Sequence, residues 1–180
     1  RRYTSSGTGV KKARMRQILL VRHGDAENRS TSGRDEDRAL TTRGRRELVA
    51  IGRALDAMGA RPCAVWTSPL RRAVETGQIL ASALGAKPRV EPALAPGGSE
   101  SVIASQLNGE VARESVMLVG HLPDIGELAS YLLVGDRSEV GLDFGKASVA
   151  CLEGAAVPPL GRLVLRWFLR APELTALGQR

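Results

Sequence analysis

The sequence has few of the residues that define several common classes of protein. It contains two cysteines in 180 residues, Cys63 and Cys151, and they follow no metal-binding or redox spacing. We expect buried free thiols in a reducing, cytoplasmic compartment, with a disulfide between them as the alternative. No apolar run approaches the ~20 residues of a membrane span, so no membrane association is expected. Carboxylates and cysteines form no cluster typical of a metal site, so we expect no metal and no other cofactor.

The net charge of +7 is unevenly distributed along the chain. Six of the 26 basic residues lie within the first 16 positions, which contain no acidic residue: Arg1, Arg2, Lys11, Lys12, Arg14 and Arg16. The rest of the chain holds 20 basic and 19 acidic side chains and is therefore nearly neutral. Nucleic-acid binding would need a basic face outside the first residues, so it is not expected.

The N-terminal segment differs in composition from the rest of the chain. Residues 1–14 are rich in Ser, Thr, Gly and basic side chains and show no apolar periodicity, which predicts a disordered leader or an appended extension. A basic targeting arm is the alternative. The segment has no apolar centre, so it does not resemble a secretory signal. Residues 15–180 are expected to form a single domain.

Short apolar runs alternate with amphipathic segments along that domain. The runs predict strands at 17–21, 64–67 and 116–119, with a brief strand at 89–90. Helices are predicted from Thr41 or Thr42 to Met58 and over 71–84, 100–108 and 124–133, the last capped by Asp124. Segments 147–152 and 163–169 are expected to pair as antiparallel strands. The order predicts an α/β fold, a three-layer α/β/α sandwich whose mostly parallel central sheet has an antiparallel edge.

Both histidines of the chain directly follow apolar strands. The first lies in Arg22-His23-Gly24 and the second in Gly120-His121. The carboxyl ends of parallel strands form the ligand-binding edge of an open α/β sheet. A histidine there can act as a nucleophile, and an arginine can hold a phosphate through its planar fork of donors. Arg71 and Arg72 open a helix after another strand, where the helix dipole adds to the attraction for an anion.

Four motifs together resemble one known family. They are Arg22-His23-Gly24, Leu40-Thr41-x-x-Gly44, Ser68-Pro69-x-x-Arg72-Ala73-x-x-Thr76 and Gly120-His121. Their order and spacing are similar to those of the histidine phosphatase superfamily, whose fold is phosphoglycerate-mutase-like. The compact size and the segments Leu94-x-Pro96-x-Gly98 and His121-Leu122-Pro123 are most similar to the SixA-type phosphohistidine phosphatases.

The resemblance implies a role for each of four residues. His23 would be the nucleophile that accepts the phosphoryl group, and Arg22, Arg72 and His121 would surround that group. Phosphoryl transfer depends on in-line positioning and cationic donors around the transferred oxygens, which agrees with these roles. Arg72 matches the family pattern, whereas Arg71 is expected to be solvated or to lie at the substrate rim. Ser68 and Thr41 are expected to be structural caps.

The general acid is where the sequence departs from the wider family. Mutase-like members carry a glutamate in a Leu-x-Glu setting, and this chain reads Leu94-Ala95-Pro96. Asp25 is a candidate acid, as is Glu27, although a solvated loop charge explains either equally well. An alkoxide leaving group needs a proton donor, whereas imidazole, with a pKa near neutrality, does not need a strong one. The missing acid therefore favours cleavage of an N–P bond.

Three functions follow from the sequence in order of preference. The first is hydrolysis of phosphohistidine on a phosphotransfer protein, through a covalent intermediate on His23. The second is a small-molecule phosphomonoesterase of the same superfamily, acting on sugar or nucleotide phosphates. The third is a phosphate-binding module without activity, which the presence of all four site residues disfavours.

Overall fold

Strands and helices alternate along the chain in the computed structural model, which describes residues 16–109 and 115–179. The strands are β1 (Arg16–Arg22), β2 (Ala64–Thr67), β3 (Lys87–Val90), β4 (Val116–Gly120), β5 (Val149–Gly154) and β6 (Val164–Leu169). The helices are α1 (Thr42–Ala57), α2 (Arg71–Leu84), α3 (Glu100–Gly109), α4 (Asp124–Val134) and α5 (Ala171–Gly178). Short 3-10 turns occur at Asp35–Asp37 and Pro92–Leu94. The predicted leader, residues 1–14, lies outside the described residues.

All six strands belong to one sheet with the order β3-β2-β4-β1-β5-β6. The first four strands in that order are parallel, whereas β5 runs antiparallel to β1 and β6 antiparallel to β5. The predicted α/β fold, with its antiparallel edge, is therefore confirmed. In the register of β1 and β4, Arg22 lies opposite Gly120. His23 and His121 consequently leave the sheet side by side, from two neighbouring strands.

Helices cover both faces of the sheet, which explains why the central strands are continuously apolar. Leu19 and Val21 of β1 pack in a cluster with residues of α1, α2 and α5. Ile18 and Leu20 point to the opposite face and pack with residues of α3 and α4. None of the described helices combines the length and apolar character needed to cross a membrane.

Thr41 caps helix α1 and ties it to the segment that follows His23. Its hydroxyl oxygen accepts a hydrogen bond from the Gly44 N–H at 2.9 Å, as expected of an N-cap residue. The Thr41 N–H donates to the Asp25 carbonyl oxygen at 2.9 Å. A Cβ on Gly44 would overlap that carbonyl, so glycine is required for the close approach. The Leu40-Thr41-x-x-Gly44 motif therefore holds α1 against the strand that delivers His23.

Two sequence predictions about the fold are wrong. Asp124 does not cap α4, because the helix begins at Asp124 with Pro123 in the N-cap position. The Asp124 carboxylate instead accepts a hydrogen bond from the Gly97 N–H at 2.8 Å. Cys63 is exposed rather than buried, since it lies just before β2. Cys151 is buried as expected, and these two described cysteines are not joined in a disulfide.

Helix α5 is absent from the sequence prediction. It packs along α1 and buries only Ala171 and Leu174, so its apolar pattern is too short to stand out in the sequence. The brief strand predicted at 89–90 is longer in the structure, where β3 pairs with β2 over four residues.

Candidate active site

Arg22 is the last residue of β1, and His23 follows it at the carboxyl edge of the sheet. The His23 N–H donates to the Gly120 carbonyl oxygen at 3.0 Å, which joins the ends of β1 and β4. The Arg22 Nη1 donates to the Phe144 carbonyl oxygen at 2.8 Å. The Arg22 Nε is buried and has no hydrogen-bond partner among the described residues, which is uncommon for a buried donor and makes it a candidate contact for a ligand.

Hydrogen bonding and burial together leave the His23 imidazole ready to act as a nucleophile. Its Nδ1 lies 2.8 Å from the Gly24 carbonyl oxygen, and because a carbonyl can only accept, Nδ1 holds the ring proton. The lone pair is therefore on Nε2. Burial lowers the pKa of His23 to about 3, and the neighbouring His121 and Arg72 act in the same direction, although the Gly24 hydrogen bond opposes them. The ring is thus neutral near pH 7.

Arg72 lies in the first turn of α2 with its guanidinium directed at His23. Its Nε is 3.3 Å from the His23 Nε2, and the residue is buried. Thr76, one turn later, donates its hydroxyl proton to the Arg72 carbonyl oxygen at 2.7 Å and accepts the Gly24 N–H at 3.1 Å. This pair of bonds explains the Arg-Ala-x-x-Thr spacing, because Thr76 fastens α2 to the turn after His23. Arg71 is exposed and pairs with Glu75 at 2.9 Å, which agrees with the solvated position expected for it.

His121 completes the cluster from the end of β4. Its ring centroid lies 5.0 Å from that of His23. Its Nε2 is 2.8 Å from the Ser68 Oγ, which also accepts the Leu70 N–H at 3.3 Å. Among the described residues, the Ser68 hydroxyl has no acceptor other than His121 Nε2, so we assign the hydroxyl proton to this bond and the ring proton to Nδ1. That Nδ1 is buried and makes no hydrogen bond within the described residues.

Burial and, to a smaller extent, the charge of Arg72 lower the pKa of His121 to about 4, although the charge of Asp35 acts in the opposite direction. Both imidazoles are therefore neutral at neutral pH, while both arginines keep their charge. The site thus presents one free lone pair on His23 beside two guanidiniums and an imidazole donor. This arrangement can attack a phosphorus atom and hold the phosphoryl oxygens at the same time.

Asp25 does not fit the role of proton donor that the sequence left open for it. Lys146 Nζ lies 2.7 Å from one carboxylate oxygen, and Thr41 donates to the other at 2.9 Å. The hydrogen bond from Lys146 lowers the pKa of Asp25, and the Thr41 hydroxyl adds to the shift. The residue is therefore an ionised carboxylate that ties neighbouring segments together, and not an acid with a proton to give. Glu27 is exposed in the loop that follows.

Sequence reasoning missed three groups that support the site. Ser68 was expected to be only a cap, yet it is fully buried against His121. The segment 28–38 is polar and rich in charges of both signs, a composition that predicts a solvated loop, yet Asp35 accepts hydrogen bonds from Arg72 through both its carbonyl and its carboxylate. Phe144 contributes a backbone carbonyl that no side-chain motif could have revealed. Of the three, only Ser68 lies within a recognisable motif.

The fold and this cluster define a class, that of α/β enzymes that transfer phosphoryl groups. In residues 16–109 and 115–179, no group of three or more His, Cys, Asp or Glu is placed to hold a metal ion. Comparison with known families supports the class and narrows it. Residues 18–96 match the family model of the histidine phosphatase superfamily (branch 1).

The chain belongs to the histidine phosphatase superfamily, and its structure is similar to those of phosphatases of the SixA type. An uncharacterized protein of Picosynechococcus sp. strain PCC 7002 is 36% identical over 143 residues, which cover 78% of this chain and 86% of that protein. A structure of the protein histidine phosphatase SixA complexed with tungstate superimposes with a TM-score of 0.76 at 25% identity, covering 88% of this chain and 99% of that one.

A second structural neighbour shares the fold but has a different named substrate. A mycobacterial glucosyl-3-phosphoglycerate phosphatase superimposes with a TM-score of 0.60 at 22% identity, covering 85% of this chain and 98% of that one. At this level of identity the similarity shows the fold alone. The substrate of the present chain must therefore be argued from its own site.

Proposed function

We propose that this protein hydrolyses phosphohistidine on a phosphotransfer protein, through a covalent phosphohistidine intermediate on His23 and without a metal. The observation that carries the proposal is the state of the His23 ring. Its Nδ1–H donates to the Gly24 carbonyl oxygen, with the two heavy atoms 2.8 Å apart. Its Nε2 lies 3.3 Å from the Arg72 Nε. A neutral imidazole oriented in this way has one lone pair, directed to the place where a phosphoryl group would be held.

The reaction proceeds in two displacements at phosphorus. In the first, His23 Nε2 forms a bond to phosphorus while the P–N bond of the substrate breaks, and the departing imidazole takes a proton from water, which leaves a hydroxide ion. In the second, water attacks the same phosphorus and the bond to His23 breaks, which releases the neutral imidazole and dihydrogen phosphate. The phosphate then gives one proton to the hydroxide ion. Arg72, the Arg22 Nε and the His121 Nδ1 are the donors that would contact the phosphoryl oxygens, since the last two have no hydrogen-bond partner within residues 16–109 and 115–179.

The carboxylates around the site favour an imidazole leaving group. Burial alone would raise the pKa of Glu91, but hydrogen bonds from Arg89 and Ala93 outweigh it, so the pKa is lowered. Arg38 and Arg72 lower the pKa of Asp35, and Lys146 lowers that of Asp25. None of these three carboxylates retains a proton at neutral pH. An imidazole can leave with a proton from water, whereas a sugar alkoxide needs a stronger donor.

The test is release of inorganic phosphate from a phosphohistidine-bearing phosphotransfer protein, alongside a panel of sugar phosphates, in the presence of a chelator. The variants are His23→Ala and the neighbouring pair Arg72→Ala and Arg71→Ala. Arg71 is the matched control, because it is exposed and pairs with Glu75. We expect no turnover with His23→Ala, a loss of about 10²- to 10³-fold with Arg72→Ala, and little change with Arg71→Ala.

Three results would contradict the proposal in different ways. Faster turnover of sugar phosphates than of phosphohistidine would assign the protein to the small-molecule phosphatases. Activity that survives in His23→Ala would remove His23 as the nucleophile. Phosphate binding without release from any substrate would indicate a binding module.

A further inference from the structure

The loop between β1 and α1 contains a carboxylate that reaches Arg72. Asp35 opens the 3-10 turn Asp35–Asp37, and its carbonyl oxygen accepts from the Arg72 Nη1 at 2.9 Å. Its carboxylate Oδ2 accepts from the Arg72 Nη2, also at 2.9 Å. The Arg72 side chain is 8% exposed and that of Asp35 is 61% exposed. Asp35 therefore lies at the rim of the site and holds a guanidinium that is buried inside it.

The planarity of the guanidinium gives this contact a consequence for catalysis. One residue holds the outer end of the fork, through Nη1 and Nη2, so the plane cannot rotate about the long axis of the side chain. The opposite edge, which contains Nε, is thereby directed at the His23 Nε2. The Nη2 group has a second N–H on that edge, which stays available for a phosphoryl oxygen.

We propose that Asp35 is a positioning residue that fixes the orientation of the Arg72 guanidinium towards His23 and the transferred phosphoryl group. The carboxylate is itself held, because its Oδ1 accepts from the Arg38 Nη1 at 2.7 Å. Arg38 in turn donates through Nε to the Glu27 carbonyl oxygen at 2.6 Å. A chain of contacts from the loop backbone through Arg38 and Asp35 thus ends on Arg72.

The Asp35 carboxylate has two opposing effects on the site. Its contact with Arg72 orients the guanidinium, whereas its negative charge opposes phosphate binding. A carboxylate next to an anion-binding guanidinium weakens the binding of a phosphate dianion, because like charges repel. The two effects can be separated by substitution. Asp35→Asn keeps an oxygen that can accept from Nη2, removes the charge and gives up the bond from Arg38, since its amide nitrogen cannot accept. Asp35→Ala removes the side-chain acceptor and the charge, and it keeps the backbone carbonyl that accepts from Nη1. If Asp35 only stabilised the loop, its substitutions would not lower kcat in the alanine variant and tighten phosphate binding in the asparagine variant.

The control is Asp37→Asn, in the same 3-10 turn. Asp37 bonds to Arg34 and Ser32 and, in the described part of the chain, forms no hydrogen bond or ion pair with Arg72, so it reports on the loop alone. The measurements are kcat with an aryl phosphate and with a phosphohistidine protein, and equilibrium binding of inorganic phosphate by calorimetry. Urea unfolding of each variant checks that the fold is intact.

We expect Asp35→Ala to lower kcat at least about 10-fold with either substrate, because Arg72 keeps only the contact of its Nη1 with the backbone carbonyl and its guanidinium plane can then rotate. Asp35→Asn should keep kcat within about 3-fold of wild type and bind inorganic phosphate about 3- to 10-fold more tightly. Asp37→Asn should match wild type in both measurements. Wild-type kcat in Asp35→Ala would overturn the proposal, as would unchanged phosphate binding in Asp35→Asn.

The inference rests on the role that the proposed function gives to Arg72, yet its failure can be recognised separately. If the wild type proves inactive on phosphohistidine but hydrolyses the aryl phosphate, the proposed substrate is wrong and the Asp35 variants still report on Arg72. If the wild type hydrolyses both and the Asp35 variants behave like Asp37→Asn, the proposed substrate stands and the positioning role is wrong.

Discussion

Replacing His23 by glutamine tests whether the native protein holds its nucleophile in the neutral form. Burial lowers the pKa of His23 to about 3, whereas the same imidazole in an unfolded chain titrates near its ordinary value of about 6.5. Below pH 6.5 the unfolded chain therefore takes up a proton that the native protein does not. Since the unfolded state then binds more protons, the free energy of unfolding must fall as the pH decreases.

The magnitude follows from the two pKa values. Between pH 7.5 and pH 5.0, an imidazole that titrates at about 6.5 when unfolded and stays neutral when folded lowers the free energy of unfolding by about 2 kcal/mol. His121, with a pKa of about 4, contributes a similar amount. The chain has no other histidine. Titration of the two histidines should therefore lower the free energy of unfolding of the wild type by about 4 kcal/mol between pH 7.5 and pH 5.0, and that of His23→Gln by about half as much.

The assay is urea unfolding at pH 7.5 and pH 5.0 for wild type, His23→Gln, His121→Gln and the double variant. Carboxylate titrations are nearly the same in all four, so they cancel when the pH dependences are compared. The double variant should lose the least stability on acidification. If wild type and His23→Gln lose the same free energy of unfolding, His23 titrates normally in the native protein, and the argument for a neutral, desolvated nucleophile fails.

Three further substitutions test separate parts of the structure. Ser68→Ala should lower kcat/KM by about 5- to 10-fold, because His121 loses the hydrogen bond that orients its ring. Asp25→Asn should leave kcat within about 3-fold of wild type in the phosphate-release assay, since a carboxylate paired with Lys146 donates no proton. Gly77→Ala should lower the free energy of unfolding by about 1–3 kcal/mol in urea, because its Cβ would overlap the Thr67 methyl group.

The parts of the site that the sequence predicts are those carried by strand ends. Apolar runs of the right length locate β1 and β4, and parallel strands place their carboxyl ends at one edge of the sheet. That geometry brings His23 and His121 to ring centroids 5.0 Å apart, although they are far apart in the sequence. Arg72 follows by the same reasoning from the end of β2. These three residues are predictable because secondary structure alone fixes their positions.

The predictions that failed concern contacts that only tertiary packing creates. Asp124 has the residue type of a helix cap, but its carboxylate bonds to the Gly97 N–H in a different loop. Cys63 has no periodic pattern around it to show whether it lies inside or outside the sheet. Helix α5 is stabilised by packing against α1, and the apolar pattern of its own residues is too weak to predict a helix.

The difference between Arg72 and Asp35 shows where such prediction ends. Strand β2 and helix α2 are enough to place Arg72 at the site, and local sequence patterns predict both elements. Asp35 lies in a segment rich in charges of both signs, whose composition is that of any solvated loop. Its carboxylate pairs with Arg72 only because the chain from β1 to α1 returns across the end of α2. The candidate site residues at the ends of strands and helices can thus be found from the sequence, whereas the residue that we propose to orient Arg72 can be found only in the folded chain.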